Sequence, residues 1–72
     1  MVLFMTHTKK VENFEKVREY VREMSKNSLT NYEIQQKLGL NYTQTQTFLN
    51  GLVEIKELKY IDSLKIYIKE DN

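Results

Sequence analysis

The side chains best suited to chemistry in this 72-residue chain lie in the neutral polar stretch Thr-Gln-Thr-Gln-Thr, residues 43–47, and in Asn50 shortly after it. Amides and hydroxyls both donate and accept hydrogen bonds without carrying charge. No Asp or Glu occurs between Glu33 and Glu54, although 29% of the chain is charged. This acid-free window suits a surface that makes hydrogen bonds to an anionic partner, because a carboxylate there would be repelled.

Composition excludes several other kinds of chemistry. The chain has no Cys, and His7 is its only histidine, so thiolate and His-rich metal sites are excluded. It has neither a Gly-rich phosphate loop nor an Asp-rich calcium loop. We therefore expect no enzymatic activity, no metal, no cofactor and no small-molecule ligand. The near balance of 11 basic and 10 acidic residues argues against a function that depends on electrostatics alone.

The longest apolar run covers residues 1–5. It is too short to span a bilayer or to form the core of a signal peptide, and no basic region precedes it. We therefore expect a cytoplasmic, intracellular protein that makes no membrane contact. The run is expected to lie in an N-terminal arm or a third strand, residues 1–8, or in a patch that is buried in a dimer.

Apolar spacing predicts a first helix over residues 9–26. The apolar side chains recur at intervals of three and four, which places them on one stripe of an α-helix. They are Val11, Phe14, Val17, Val21 and Met24. Charges of both signs alternate on the remaining surface, which indicates a solvated face rather than a binding site.

A capping pattern predicts a second, short helix over residues 30–38. Thr30 and Glu33 have the spacing of a capping box. In that motif the hydroxyl accepts a bond from the N3 amide and the carboxylate accepts one from the cap amide. Gly39 follows the helix and suits the left-handed conformation in which many helices end.

The same logic predicts a third helix over residues 41–57. Asn41 is a favourable N-cap residue, and Gln44 stands at the N3 position. Apolar residues then fall on one face of the helix, and Gly51 lowers its helix propensity slightly.

After the third helix the hydrophobic period changes to two, over residues 58–69, with a polar turn at Asp62 and Ser63. This alternation predicts an antiparallel hairpin, which must pack on the helices because an isolated hairpin is marginally stable. The chain has no Pro and only two Gly residues, which leaves no room for a flexible linker. We therefore expect residues 1–72 to form a single α+β domain that is mainly helical.

The order of these elements resembles the winged helix-turn-helix family of DNA-binding domains. The resemblance covers residues 10–69 and rests on the segment LTNYEIQQKLGLNYTQTQTFLNGL and on the hairpin after it. It implies three helices followed by a C-terminal β-hairpin, the wing. The positions that match the family pattern are Ile34, Leu38, Gly39, Leu40, Asn41, Leu49 and Leu52. Two positions depart from it, since the family usually has a small residue at Gln35 and Val at Thr45.

In this family the second helix of the motif lies in the DNA major groove, where Asn and Gln pair with adenine and Thr can contact thymine. The resemblance implies that helix 42–56 reads base edges through Tyr42, Thr43, Gln44, Gln46, Thr47 and Asn50. It implies supporting contacts, mostly to phosphates, from Asn31, Tyr32, Lys37, Lys59 and Lys65. Because few of these residues are basic, we expect modest affinity per monomer and a homodimer on double-stranded DNA.

The function expected from these observations is a small, sequence-specific transcriptional regulator. Two alternatives stay open at this point: a winged-helix module for protein–protein interaction, and non-specific or replication-related DNA binding. Residues 43–47 could also be a solvated helix face, although Thr is a poor helix former for that purpose. Tyr42 could contact the groove or pack on the wing, whereas Tyr60 and Tyr67 are expected to pack on the hairpin.

Overall fold

The computed structural model describes the backbone of residues 2–70 and the side chains of residues 11–70. Three helices and a three-stranded antiparallel sheet follow one another in the order α1 (Val2–Glu23), β1 (Ser28–Leu29), α2 (Asn31–Leu38), α3 (Tyr42–Glu54), β2 (Leu58–Ile61) and β3 (Ile66–Lys69). The strand order in the sheet is β1-β3-β2. The expected α+β class is confirmed, and this order of elements is consistent with winged-helix topology.

Helix α1 is longer at its start than the sequence predicts. It begins at Val2 instead of residue 9, so the expectation of an arm or strand over residues 1–8 is wrong for residues 2–8, and Met1 lies outside the described residues. Extending an existing helix by one residue adds a hydrogen bond at little entropic cost, and no Gly or Pro interrupts this segment. The side chains expected in a dimer patch, those of residues 1–5, also lie outside the described part.

The hydrophobic core joins all three helices to the sheet. Helix α1 contributes Val17 and Val21, which are 0% and 2% exposed. The other buried apolar residues are Leu29, Ile34, Phe48, Leu49, Leu52, Leu58 and Tyr67. Burying an aliphatic side chain stabilises the fold by about 1.5–3 kcal/mol. The stripe on α1 therefore anchors α2, α3 and the hairpin in one body.

Gly51 has a packing role that its helix propensity does not indicate. The ring of Phe14 crosses α3 at this residue, and a Cβ atom on Gly51 would lie 3.2 Å from Phe14 Cε1. The same ring meets Phe48 edge-on, with 6.0 Å between the ring centroids. The missing side chain thus lets α1 and α3 approach closely.

The helix caps are largely as predicted. Asn41 Oδ1 accepts from the Gln44 amide at 2.8 Å and Gln44 Oε1 accepts from the Asn41 amide at 3.2 Å, so both halves of this capping box form. Gly39 ends α2 with φ 67°. Only half of the box at Thr30 forms. Thr30 Oγ1 accepts from the Glu33 amide at 3.2 Å, but the Glu33 carboxylate accepts from Tyr20 and Lys26.

Helix α3 ends at Glu54, three residues before the predicted boundary. The amides of Lys56 and Glu57 donate to the carbonyls of Val53 and Leu52, which is the double hydrogen bond of a Schellman motif. Lys56 occupies the left-handed position, with φ 67°, where Gly is usual. No Gly follows this helix in the sequence, so the sequence prediction placed the end of the helix too late.

Two features of the sheet differ from the sequence prediction. A third strand exists, but it is Ser28–Leu29, which pairs with Ile68 and Tyr67 of β3 and partly covers a segment predicted as loop. Two residues are too few to show an alternating pattern. The hairpin turn also spans residues 62–65 instead of 62–63. Lys65 therefore lies in the turn, with φ 57°, instead of in the strand.

An ion cluster fastens the end of α3 to α1. Glu57 Oε2 accepts from Arg18 Nε at 3.0 Å, from Arg18 Nη2 at 2.8 Å and from Arg22 Nη2 at 2.9 Å. The hydrogen bond from Arg18 is the largest influence on the carboxyl and, together with Arg22, lowers the pKa of Glu57 against the opposing effect of burial. The cluster uses both arginines of the chain, on a side of α1 that packs against the α3–β2 turn.

We expect Glu57→Gln to lower the thermal unfolding midpoint by a few degrees at pH 7, because the two arginines lose their shared carboxylate. A lowered native pKa gives stability that is present above the unfolded value, about 4.3, and is lost as pH falls through the native pKa. The difference between variant and wild type should therefore vanish in acid. Thermal melts from pH 7 to pH 2 measure it, with the exposed Glu19→Gln as control. A difference that persists at the lowest pH would contradict this.

Thr45 is the one buried polar side chain among the described residues that has no hydrogen-bond partner. It is 0% exposed, and no donor or acceptor within the described part reaches its Oγ1. A buried hydroxyl without a partner costs about 1–3 kcal/mol. The unpaired Thr45 hydroxyl therefore lowers the stability of the fold. It lies on the inward face of α3, at the position where the resembled family usually has Val.

Replacing Thr45 by Val is therefore expected to stabilise the domain by about 1–2 kcal/mol, since the methyl group fills the same space without needing a partner. Urea unfolding measures the change in free energy. Thr47→Val is the matched control, because Thr47 lies exposed on the same helix and should give no gain. A loss of stability in Thr45→Val would show that the hydroxyl is satisfied in solution.

Candidate nucleic-acid interface

Helix α3 presents one continuous exposed stripe opposite its buried face. Thr43, Thr47, Asn50 and Glu54 are all exposed, and their spacing places them in one row along the helix. The buried residues on the other side are Thr45, Phe48, Leu49 and Leu52. Three residues that the sequence assigned to base reading thus share one surface. The first carboxylate on this surface is Glu54, at the C-terminal end.

The two threonines of the stripe are linked to each other. Thr47 Oγ1 donates to the Thr43 carbonyl at 3.0 Å. This bond uses the hydroxyl proton of Thr47 and fixes its side chain, so the oxygen is left as an acceptor and the methyl group as an apolar contact. No group within residues 11–70 binds the exposed hydroxyl of Thr43, which can therefore donate or accept.

Gln46 occupies a different position from the one predicted. It is half-buried, and its amide joins three elements of the fold. Its Nε2 donates to Asn50 Oδ1 at 3.0 Å and to the Tyr67 hydroxyl at 2.7 Å, while its Oε1 accepts from Asn31 Nδ2 at 3.1 Å. Both amide protons are used inside the protein. The expectation that Gln46 faces outward is therefore wrong, and its amide holds α2, α3 and β3 together.

Asn31 is likewise directed inward. Its Nδ2 donates to Gln46 and, more weakly, to the Tyr42 carbonyl at 3.5 Å, and its Oδ1 accepts from Gln35 Nε2. Asn31 thus joins α2 to α3 instead of extending toward a phosphate. These bonds also explain why Gln35 is accommodated where the resembled family has a small residue. Gln44 is exposed, but its Oε1 belongs to the capping box.

Asn50 is oriented by its bond with Gln46. Its Oδ1 accepts from Gln46 Nε2, and no acceptor within residues 11–70 binds its Nδ2. The exposed side of Asn50 therefore offers two amide protons. Such a group matches the acceptors on base edges, which are guanine O6 and N7, adenine N7 and thymine O4.

The two lysines predicted for the wing lie on different sides of it. Lys65, in the hairpin turn, lines a cleft between the hairpin and the helices. Lys59 pairs with Ile68, whereas its neighbour Tyr60 pairs with Tyr67, whose ring is buried against the helices. Successive strand residues point to opposite faces of a sheet. Lys59 therefore lies on the outer face, away from α3, and the prediction that it joins this surface is wrong.

Lys37 and Tyr32 are the two site candidates on α2 that are exposed. Lys37 is exposed in the last turn of α2. Burial raises the pKa of Glu33, but hydrogen bonds from Lys26 and Tyr20, together with the charges of Lys26 and Lys37, lower it overall. Tyr32 is 67% exposed in the first turn of α2. Tyr32 lines the same cleft as Lys65, together with Tyr42 of α3.

A cleft of about 250 Å³ separates the start of α2, the start of α3 and the hairpin turn. We call it the tyrosine cleft. Its lining residues are Thr30, Asn31, Tyr32, Tyr42, Gln46, Tyr60, Lys65 and Tyr67. The sequence predicted that Tyr60 and Tyr67 pack on the hairpin, and their ring centroids lie 4.8 Å apart. It did not indicate the cleft. Recognising it requires the relative placement of α2, α3 and the hairpin.

Most other cations of the described residues are engaged away from this surface. Arg18 and Arg22 bind Glu57, and Lys26 Nζ lies 2.6 Å from Glu33 Oε1. Lys69 Nζ donates to the carbonyls of Arg22 and Met24, at 3.3 and 3.0 Å, where α1 ends. The exposed row of α3 is consequently uncharged and hydrogen-bonding before Glu54, and Lys65 lies near the start of α3.

The described elements define a small α+β domain with three helices and a three-stranded antiparallel sheet. Comparison with known proteins adds no relative: no protein-family model, no curated protein and no solved structure matches this chain. Among the described residues, no helix combines the length and apolar character needed to cross a membrane. No group of three His, Cys, Asp or Glu side chains in the same part of the chain could hold a metal ion.

Proposed function

We propose that this chain is a winged helix-turn-helix domain that binds double-stranded DNA and regulates transcription. In this proposal α3 enters the major groove with the row of Thr43, Thr47 and Asn50 facing the bases. The observation that carries the proposal is that row itself, which is exposed, polar and free of carboxylates until Glu54. A recognition surface must approach phosphates closely, so acidic residues are selected against there.

Each side chain of the row would have a distinct part in reading the sequence. Asn50 offers amide protons to base acceptors, because its oxygen is held by Gln46. Thr47 offers a methyl group to thymine and an oxygen acceptor to adenine N6 or cytosine N4. Thr43 can donate or accept. Gln46 acts as a positioning residue, since its protons are used within the protein.

Phosphate contacts would come from the margins of the surface. Lys37 and Lys65 supply charge, and the hydroxyls of Tyr32 and Tyr42 can donate to phosphate oxygens. With so few cations, the logarithm of affinity should fall only shallowly with the logarithm of salt concentration. Useful affinity would then require two copies on adjacent half-sites, and we propose a homodimer for this reason.

An NMR titration of ¹⁵N-labelled protein with mixed duplex DNA at two salt concentrations tests the proposal. Amide shifts concentrated in residues 42–50 and at Lys65 are expected, with residues 11–22 of α1 as the internal control. Selection from random duplexes would then define a preferred sequence. If no amide shifts at low salt, the protein does not bind DNA. If the selection finds binding without sequence preference, the protein is not a sequence-specific regulator.

Replacing Lys65 by Gly is expected to change stability and DNA binding in opposite directions. A left-handed backbone is unfavourable for Lys but not for Gly, so folding should gain about 0.5–1 kcal/mol. Loss of one phosphate contact should weaken DNA binding and reduce the salt slope by about one. Lys65→Gln is the control: it should lose the same DNA contact without stabilising the fold. If Lys65→Gly binds DNA as tightly as wild type, Lys65 makes no phosphate contact.

A protein-interaction module is the second candidate function. It is favoured by the exposed rings of Tyr32, Tyr42 and Tyr60, since tyrosine is enriched in protein interfaces. Asn50→Ala separates the two functions, because Asn50 lies on the α3 row and does not line the tyrosine cleft. A partner protein that is retained by Asn50→Ala and lost by Tyr42→Ala, with no DNA binding by wild type, would establish this candidate.

A further inference from the structure

The tyrosine cleft gathers exposed aromatic rings from three separate elements. Tyr32 in α2 is 67% exposed, Tyr42 in α3 is 61% exposed and Tyr60 in β2 is 39% exposed. Each ring leaves apolar surface in water, and such surfaces, when grouped, mark binding sites. The contacts proposed for duplex DNA use only the hydroxyls of Tyr32 and Tyr42, so the ring faces that converge at the cleft are left for an occupant of their own.

The charges around the cleft favour an anionic occupant. Lys65 is the only charged residue that lines it within the described part of the chain, and no carboxylate does. Asp62 Oδ1 lies 3.7 Å from Lys65 Nζ, but both side chains are exposed in the turn, where such pairs are weak. The volume of about 250 Å³ is below the roughly 300–1,000 Å³ of typical small-molecule sites. A single planar ring attached to a phosphate chain suits these dimensions better than a whole cofactor.

We propose that the tyrosine cleft stacks an unpaired nucleobase from a single-stranded segment that adjoins the duplex on α3. The base would lie against Tyr42 and Tyr60, and its phosphate would lie toward Lys65. Stacking on aromatic rings accepts any base, because every base has a π face. This inference goes beyond the proposed function, which requires duplex DNA only.

The floor of the cleft is rigid enough to serve as a stacking platform. Tyr67 is 3% exposed, and its hydroxyl accepts from Gln46 Nε2 at 2.7 Å. The centroid of its ring lies 4.8 Å from the centroid of the Tyr60 ring. The ring of Tyr60 is thus held by a buried neighbour that is itself tied to α3. A platform held in place before binding loses little conformational entropy when a base arrives.

Fluorescence anisotropy with three forms of one labelled duplex tests the proposal. The first is blunt, the second carries a short single-stranded thymine tail, and the third carries a tail of equal length made of abasic residues. The thymine tail should tighten binding about tenfold over the blunt duplex. The abasic tail keeps the phosphates but has no bases, so it should add little. Equal tightening by both tails would overturn stacking in favour of phosphate contacts.

Tyr42 provides the matched protein variants. Tyr42→Leu should abolish the preference for the thymine tail, whereas Tyr42→Phe keeps the ring and should retain it. Tyr32→Leu is a second probe, because Tyr32 belongs to α2 and lines the same cleft. Each of these side chains is more than half exposed, so the variants should fold, and their unfolding midpoints verify this. A tail preference that survives Tyr42→Leu and Tyr32→Leu would overturn the assignment to this cleft.

Failure of the nucleobase proposal can be distinguished from failure of the proposed function. Affinity for the blunt duplex reports on α3, and the difference between thymine and abasic tails reports on the cleft. Tight binding to the blunt duplex without a tail preference would leave α3 as the DNA surface and reject the cleft. A thymine-tail preference with negligible blunt-duplex affinity would support the cleft and reject major-groove reading. Loss of a protein partner in Tyr42→Leu, with no tail effect in wild type, would reject the nucleobase.

Discussion

Asn50→Asp is expected to weaken duplex binding by roughly 30-fold, which corresponds to about 2 kcal/mol. The substitution is nearly isosteric and retains the oxygen that accepts from Gln46 Nε2, so the hydrogen bond that orients the side chain survives. It removes both outward amide protons and places a carboxylate in the middle of the α3 row. The loss combines a missing base contact with repulsion by phosphates. Anisotropy titrations on the selected duplex measure it.

Asn27→Asp is the charge-matched control for that experiment. Asn27 is exposed in the loop before β1, and its carbonyl accepts from the Lys69 amide, at the end of β3 that is remote from the hairpin turn. The same change in net charge there should alter affinity less than about twofold at moderate salt. Asn50→Ala should fall between Asn50→Asp and wild type, because it loses the contact without adding charge. Wild-type affinity in Asn50→Asp would exclude the row from the DNA surface.

The largest effect on stability is expected from Leu49→Ala, at about 2–5 kcal/mol of unfolding free energy. Leu49 is 0% exposed and belongs to the core cluster formed by the three helices and the sheet. Removal of its branched end loses the transfer free energy and leaves a cavity that rigid neighbours cannot fully close. A domain of this size has a total stability on the order of 5 kcal/mol. The variant should therefore be partly or wholly unfolded at room temperature.

Urea denaturation monitored by circular dichroism measures this change, and Leu64→Ala is its control. Leu64 is 64% exposed in the hairpin turn, so its truncation should change the unfolding free energy by less than about 0.5 kcal/mol. The slope of free energy against urea should stay constant if both variants unfold in two states. A loss in Leu49→Ala no greater than that in Leu64→Ala would mean that the core is not assembled as described.

The parts of this fold that sequence alone predicts are those fixed by neighbouring residues. The N-cap at Asn41 and the left-handed Gly39 depend on contacts within a few positions, and both formed as expected. The end of α3 was missed because Lys56 occupies the position where Gly would have marked it. The start of α1 was missed because an apolar run without charges fits a helix and a strand equally well.

The candidate site was predicted only in part, because most of its geometry depends on non-local pairs. Exposure of Thr43, Thr47 and Asn50 follows from the helical period, so the sequence identified them. The inward turn of Gln46 could not be deduced, since it depends on Tyr67, 21 positions away. The tyrosine cleft was missed for the same reason. Lys59 was assigned to the wrong face because the register of β2 against β3 decides it.

The position of Lys59 has a consequence for self-association. β2 is an edge of the sheet, since the strand order places β3 between it and β1. The outer face beside this edge carries the partly exposed isoleucines Ile61, Ile66 and Ile68. An edge with apolar side chains beside it is a place where strands of separate molecules could pair and aggregate. A lysine on that face keeps a charge beside the open edge and makes such pairing costly. Lys59 thus has a reason to be there that involves no ligand: it helps to keep concentrated copies of the chain apart.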